Sequence, residues 1–168
     1  MTTSSLALSL FFHILATVVW VGGLLLTVLL VWPEVRRVLE NQPSLYRLLS
    51  RWRQRFAPIS NLALATLVVT GLIQMSLDEY YEGFMSFENE WSRVMLAKHI
   101  AIVLMALVGL VLQYSVVPAL ERASLLVERG KGDPQAWAKL RRREVRLTWL
   151  SVSLGLLVLG LSAWAAAL

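Results

Sequence analysis

The chain has no cysteine, little charge and only two histidines. Without cysteine there is no disulfide framework and no thiolate ligand for a metal, which removes the stapled secreted modules and the cysteine zinc sites. Charged residues are 16% of the 168, against about 25% in an average soluble domain. Hydrophobic residues are 57%, above the usual range of about 45–50%. The missing charge is concentrated in four stretches, residues 1–33, 56–77, 100–120 and 147–168, none of which has an Asp, Glu, Lys or Arg. Crossing the hydrocarbon core takes about 20 apolar residues, so each stretch is long enough to cross once. A soluble enzyme and a disordered chain are excluded. The expected fold is all-α, an integral membrane four-helix up-down-up-down bundle in a lipid bilayer. It forms a single four-span domain over 1–168, with spans near 6–32, 57–77, 92–120 and 147–167.

The N-terminal stretch does not read as a cleaved signal. It lacks a basic lead-in, and the apolar run from Leu6 to Trp32 exceeds the roughly 7–15 residues of a signal core. Orientation follows from the loops, because basic residues stay on the cytoplasmic side. The segment 34–56 carries six Arg and two Glu, and 121–146 carries eight basic and four acidic residues, so each is +4. Between them, 78–90 holds five acidic residues and no basic one. Both termini and the 78–91 loop are therefore expected outside, and the loops 34–56 and 121–146 inside, as in a multi-pass protein of a bacterial plasma membrane. The overall charge of +5 is a product of this topology and gives no reason to expect a nucleic-acid partner. Trp32, Trp52 and Trp149 are expected at the inner interface, and Tyr80, Tyr81, Trp91 and Trp164 at the outer one. Gly130-Lys131-Gly132-Asp133-Pro134 reads as a turn.

Ionisable side chains inside a span are costly and are functional candidates by default. The spans hold His13 in the first and Lys98 and His99 in the third, with Arg93 near an end. Spans one and three run in the same direction, and the two histidines fall at matching depth, roughly 8–9 Å in from the outer ends. Two imidazoles on diagonal helices suit a haem iron between them, so His13 and His99 are expected to be axial ligands of a b-type haem. Small residues below them, among them Ala16, Gly23 and Ala106, leave room for a flat macrocycle or for close helix packing. Arg93 and Lys98, with Tyr80 and Tyr81, are candidates to pair with propionates. Copper is the rival: thioether sulfur suits Cu(I), and Met95, Met75 and Met85 join His13 and His99 on the outer side, with Met105 deeper. The plain alternative is packing, in which the histidines bond neighbouring helices and the methionines fill gaps. Lys98 and His99 are about 100° apart around their helix, so they cannot face the same neighbour. Lys98 is expected to snorkel or to hold a propionate, and a ligand role needs it deprotonated. Asn61, Gln113 and Tyr114 read as interhelical or interface residues.

The motif His13, Trp20, Gly22-Gly23 is similar to the first-helix pattern His-x6-Trp-x-Gly-Gly of the CopD-like copper-resistance membrane domain. Thr70-Gly71-Leu72, Ser92-Arg93-x4-Lys98 and Val117-Pro118-Ala119-Leu120 resemble its next two helices. The resemblance covers spans one to three and implies a role in copper uptake from the periplasm. A more distant resemblance is to the haem-containing, oxygen-independent protoporphyrinogen oxidases, which implies that His13 and Lys98 are the shared positions. His99 departs from that pattern and supplies a second imidazole.

Three functions remain open on these residues. One is a b-type cytochrome exchanging electrons with a membrane or periplasmic redox partner, and a second is a copper-handling protein using His and Met. The third is an accessory subunit without a metal, within a homo-oligomer or larger complex. No acid/base pair, nucleophile or phosphate loop marks the chain as a stand-alone enzyme.

Overall fold

The computed structural model describes residues 3–38, 44–81 and 89–168, nearly all of them helix or turn. Four helices are long and apolar enough to cross a membrane: Ser4–Glu34, Gln54–Ser76, Glu90–Val127 and Pro134–Ala165. The first is composite. It runs as α1 (Thr3–Thr17), a π-helical turn (Val18–Gly22), α2 (Gly23–Leu26), a second π-helical turn (Thr27–Val31) and α3 (Trp32–Val38). Span two lies in α4 (Ser44–Ser76). Span three is α5 (Glu90–Val111), a π-helical turn (Leu112–Val116) and α6 (Val117–Glu128), and span four lies in α7 (Pro134–Ala165).

The π turns have local causes. Thr17 and Thr27 each donate a side-chain bond to the carbonyl four residues back, His13 at 2.8 Å and Gly23 at 2.7 Å, which competes with the backbone ladder there. Pro33 and Pro118 lack an N–H, and a widened turn immediately precedes the helix that each one opens. The segments expected as loops are largely helical. α4 begins at Ser44 and passes through Pro58, and α7 begins at Pro134. At roughly 1.5 Å per residue α7 is about 48 Å long, well beyond a hydrocarbon core of about 30 Å. The turn expected at 130–134 is present. Gly130 takes φ 68°, and Asp133 caps α7 by accepting from the Gln135 N–H at 2.8 Å.

The burial pattern is inverted relative to a soluble bundle. Phe11, Ile14 and Val18 of span one, Leu62 and Val69 of span two, Leu104 and Leu107 of span three, and Leu156 of span four are exposed. Ser9, Ala16, Ala63, Thr70, Ala101, Ser151 and Gly155 are buried. Small side chains inside let the backbones approach where no hydrophobic force separates core from solvent. Spans one and two pack as one pair and spans three and four as another, with α4 touching α6 between the pairs. Trp91 departs from the expected interfacial belt: it is buried, because it begins the seam Trp91, Val94, Lys98, Ala101, Met105 that faces the bundle centre. Trp52, Trp149, Trp164 and Tyr80 are exposed, as interfacial anchors are.

Within each pair the helices are in contact toward the acidic end, where α1 meets α4 and α5 meets α7. Toward the opposite, basic end the four helices part around a cavity of about 1080 Å³, bounded by Trp20–Pro33, Gln54–Leu64, Met105–Glu121 and Glu144–Ser151. Asn61, Gln113 and Tyr114 line it. Glu144, expected in a loop, is on α7 and only 2% exposed. Gly23 marks a close approach between spans one and two, since a Cβ there would lie 2.3 Å from the Phe56 ring. Gly23→Val should therefore destabilise the protein by about 1–3 kcal/mol, the usual cost of overpacking. Thermal unfolding in detergent checks it, and the added substitution Phe56→Ala should recover part of the loss.

Candidate metal site at the acidic end

His13 is half-buried on α1, on the face that packs against span two. Its Nδ1 lies 2.8 Å from the Thr70 hydroxyl. The hydroxyl has one proton, committed at 2.6 Å to the Thr66 carbonyl, which can only accept. Thr70 thus accepts from His13, the ring proton resides on Nδ1, and Nε2 carries the lone pair. Such an outer hydrogen bond fixes the tautomer and orientation of metal-binding histidines. Gly71 makes room for this arrangement: a Cβ there would be 3.4 Å from His13 Cε1. One turn further out, Gln74 donates to the Ser9 hydroxyl at 3.4 Å, extending the polar seam between the two helices. Met75, buried, follows Gly71 at i+4, so its thioether belongs to the column of span two that meets His13.

On span three, Lys98 is half-buried in the middle of the seam Trp91, Val94, Ala101, Met105. Its neighbours at i−4 and i+3, Val94 and Ala101, are both buried. His99 lies about 100° round the helix, at the edge of the seam and half-buried. Its Nδ1 donates to the Met95 carbonyl at 2.6 Å, so this ring too is tied through Nδ1, though to its own helix. Met95 is half-buried on the arc between Lys98 and His99.

Other candidates sit apart. Arg93 and Tyr80 are exposed, Arg93 on the side of α5 away from the seam, and Tyr81 is half-buried. Met85, with Glu82 and Glu88, lies outside the described residues. Met105 is buried deeper in the seam. Among the described residues no three His, Asp or Glu side chains come together as a metal cluster, so an ion here would depend on imidazole nitrogen and thioether sulfur. Thr70 and Gly71 are the positioning residues that spacing alone did not single out as a site. Their signal was a polar residue and a glycine in span two at the depth of His13.

The sequence model of the copper resistance protein D family, CopD, matches residues 50–165. The chain belongs to this family. The CopD match takes in spans two to four, and so includes Thr70, Gly71, Met75, Lys98 and His99, while His13 lies before it. The resemblance read from motifs centred on spans one to three; the family match instead extends through span four. No curated protein and no solved structure matches the chain.

In Thr70→Val the Nδ1 proton loses its acceptor, and the neutral His13 ring should populate both tautomers. Nitrogen chemical shifts of labelled histidine check this: one Nδ1–H form in the parent protein, a mixture in the variant, with the His99 signals unchanged.

Proposed function

We propose that the protein is a membrane copper-handling protein that takes Cu(I) as cargo at its acidic end. His13 Nε2 is the first ligand and the Met75 thioether a soft partner. The observation that carries this reading is the Nδ1 proton of His13 held by Thr70, which leaves Nε2 as a nitrogen donor inside a bundle of the CopD family. Thioether and imidazole are both suited to Cu(I), and the protein has no thiolate to compete. His99 and Met95 form a second, weaker donor pair at the edge of the seam.

The haem-and-electron-transfer reading ranks below this one. The family carries a copper name, and the space near Gly23 expected to admit a macrocycle is taken by Phe56. The imidazole at His99 is bound back along its own helix and is displaced from the seam that meets His13. Following the charge of the loops, the acidic end faces the outside of a bacterial plasma membrane and the basic end the cytoplasm.

Purified protein titrated with Cu(I) against a chromogenic chelator should bind copper at the outer site. His13→Ala should abolish that binding, and Thr70→Val should weaken it about 10–100-fold, the usual effect of removing a ligand's outer hydrogen bond. His99→Ala should have the smaller effect. A purified protein with a reducible Soret band that is lost in both His13→Ala and His99→Ala would reverse the ranking in favour of haem. Because the chain is free of cysteine, orientation is testable with single cysteines. Glu79→Cys should react with a membrane-impermeant maleimide on intact cells, and Lys131→Cys only after the cytoplasmic face is opened.

A further inference from the structure

We propose that the cavity at the basic end binds the ring of a prenylated quinone or quinol drawn from the bilayer, with the Ser151 hydroxyl as one of its hydrogen-bond partners. The site is independent of the copper reading, because it shares no residue with the His13 site. The lining is mostly apolar, as suits a ligand that partitions into lipid. Its aromatic side chains come from every span: Trp20 and Trp32 from the first, then Phe56, Tyr114 and Trp149. Aromatic residues on all four helices suit a flat ring, which they meet by offset stacking or edge contact. The volume of about 1080 Å³ is at the upper end for ligand pockets, about 300–1,000 Å³, and so holds a substituted ring with the first part of its tail.

The polar groups that matter come from three helices. Ser151 of span four is 4% exposed and lines the cavity, and its hydroxyl has no hydrogen-bond partner among the described residues. Such a hydroxyl costs free energy unless a ligand bonds it. Asn61 of span two and Gln113 of span three add amides that both donate and accept. A quinone presents two carbonyl acceptors at opposite edges of its ring, and a quinol two hydroxyls there, so groups on separate helices can be met at once. An alcohol with one head oxygen cannot use them in this way. Glu121 and Glu144 also line the cavity, and no Lys, Arg or His is among the described residues that do. A fatty acid or a phospholipid headgroup would bring negative charge to a wall with no fixed positive charge, which disfavours it. Gly109 and Leu110 line the cavity, are exposed and fall in the charge-free stretch 100–120, so a molecule within the bilayer can reach it and leave its tail in lipid.

The test uses the full chain in lipid nanodiscs, with a benzoquinone bearing a two-isoprene tail as the probe. Three of the seven tryptophans line the cavity, so quenching of their emission by the probe should be saturable, with one probe bound per chain. Ser151→Ala should weaken binding about 3–10-fold, the loss expected for one hydrogen bond. A Cβ on Gly109 would meet nothing within 4 Å, so Gly109→Phe extends into open space and should abolish the saturable quenching while thermal unfolding stays unchanged. His13→Ala should bind the probe as the parent does, whatever its effect on copper. Quenching of the parent that rises linearly with probe and never saturates overturns the site. So does saturable quenching that neither Ser151→Ala nor Gly109→Phe alters. Equal displacement of the probe by a saturated alcohol of the same length means that acyl chains fill the cavity, and also overturns it.

Discussion

Because lipid offers no hydrogen-bond partner, each polar side chain within the spans must bond its own helix or a neighbouring one. Most take the first course. Thr17, Thr27, Thr66 and Ser162 each donate to the carbonyl four residues back, which satisfies the hydroxyl and links nothing. Thr70 does both. Its proton goes to Thr66, and its remaining lone pair is what the His13 ring can use on another helix. The relation between spans one and two, the tautomer of His13 and the direction of its free nitrogen all follow from that hydroxyl having one proton. Gly71 and Gly23 serve the same pairing by removing side chains where His13 and Phe56 press across.

The packing of α5 likewise sets where Lys98 falls. A lysine near a helix end normally extends toward the interface. Here the seam Trp91, Val94, Ala101, Met105 sets the face of α5 that meets the bundle, and Lys98 falls in the middle of it.

Much of the architecture was legible because each signal is long. Charge gaps of twenty or more residues define spans, and the Gly130–Pro134 turn shows itself by composition. The span ends were less so, since a helix does not stop where the hydrocarbon does. Arg-rich segments are good helix formers, so α4 and α7 continue through what charge alone marks as loop. At the site, angular position was not readable: the 100° between Lys98 and His99 decides which of them lies in the buried seam, and that depends on which arc of α5 packs. Trp91 misled for the same reason: an aromatic residue at a span end signals interface only if its helical phase points outward. Thr70 stood in a quoted motif, yet its role needed the helix pairing to bring it within 2.8 Å of an imidazole.

The bundle is asymmetric along its axis, and the asymmetry has a sequence origin. At the acidic end the buried positions include Ser9, Ala16, Thr70 and Ala101, small enough for the helices of each pair to close. Toward the basic end the inward positions carry Trp20, Phe56, Gln113 and Glu144, and the π turns before Pro33 and Pro118 change the phase of spans one and three. Bulky and polar side chains with a shifted phase cannot interdigitate as small ones do, so the helices part. A carboxylate such as Glu144, 2% exposed, is tolerable at that depth only because polar neighbours share the space. Filling the cavity with apolar side chains would have given a tighter bundle with no place for Glu144, Asn61 or Gln113.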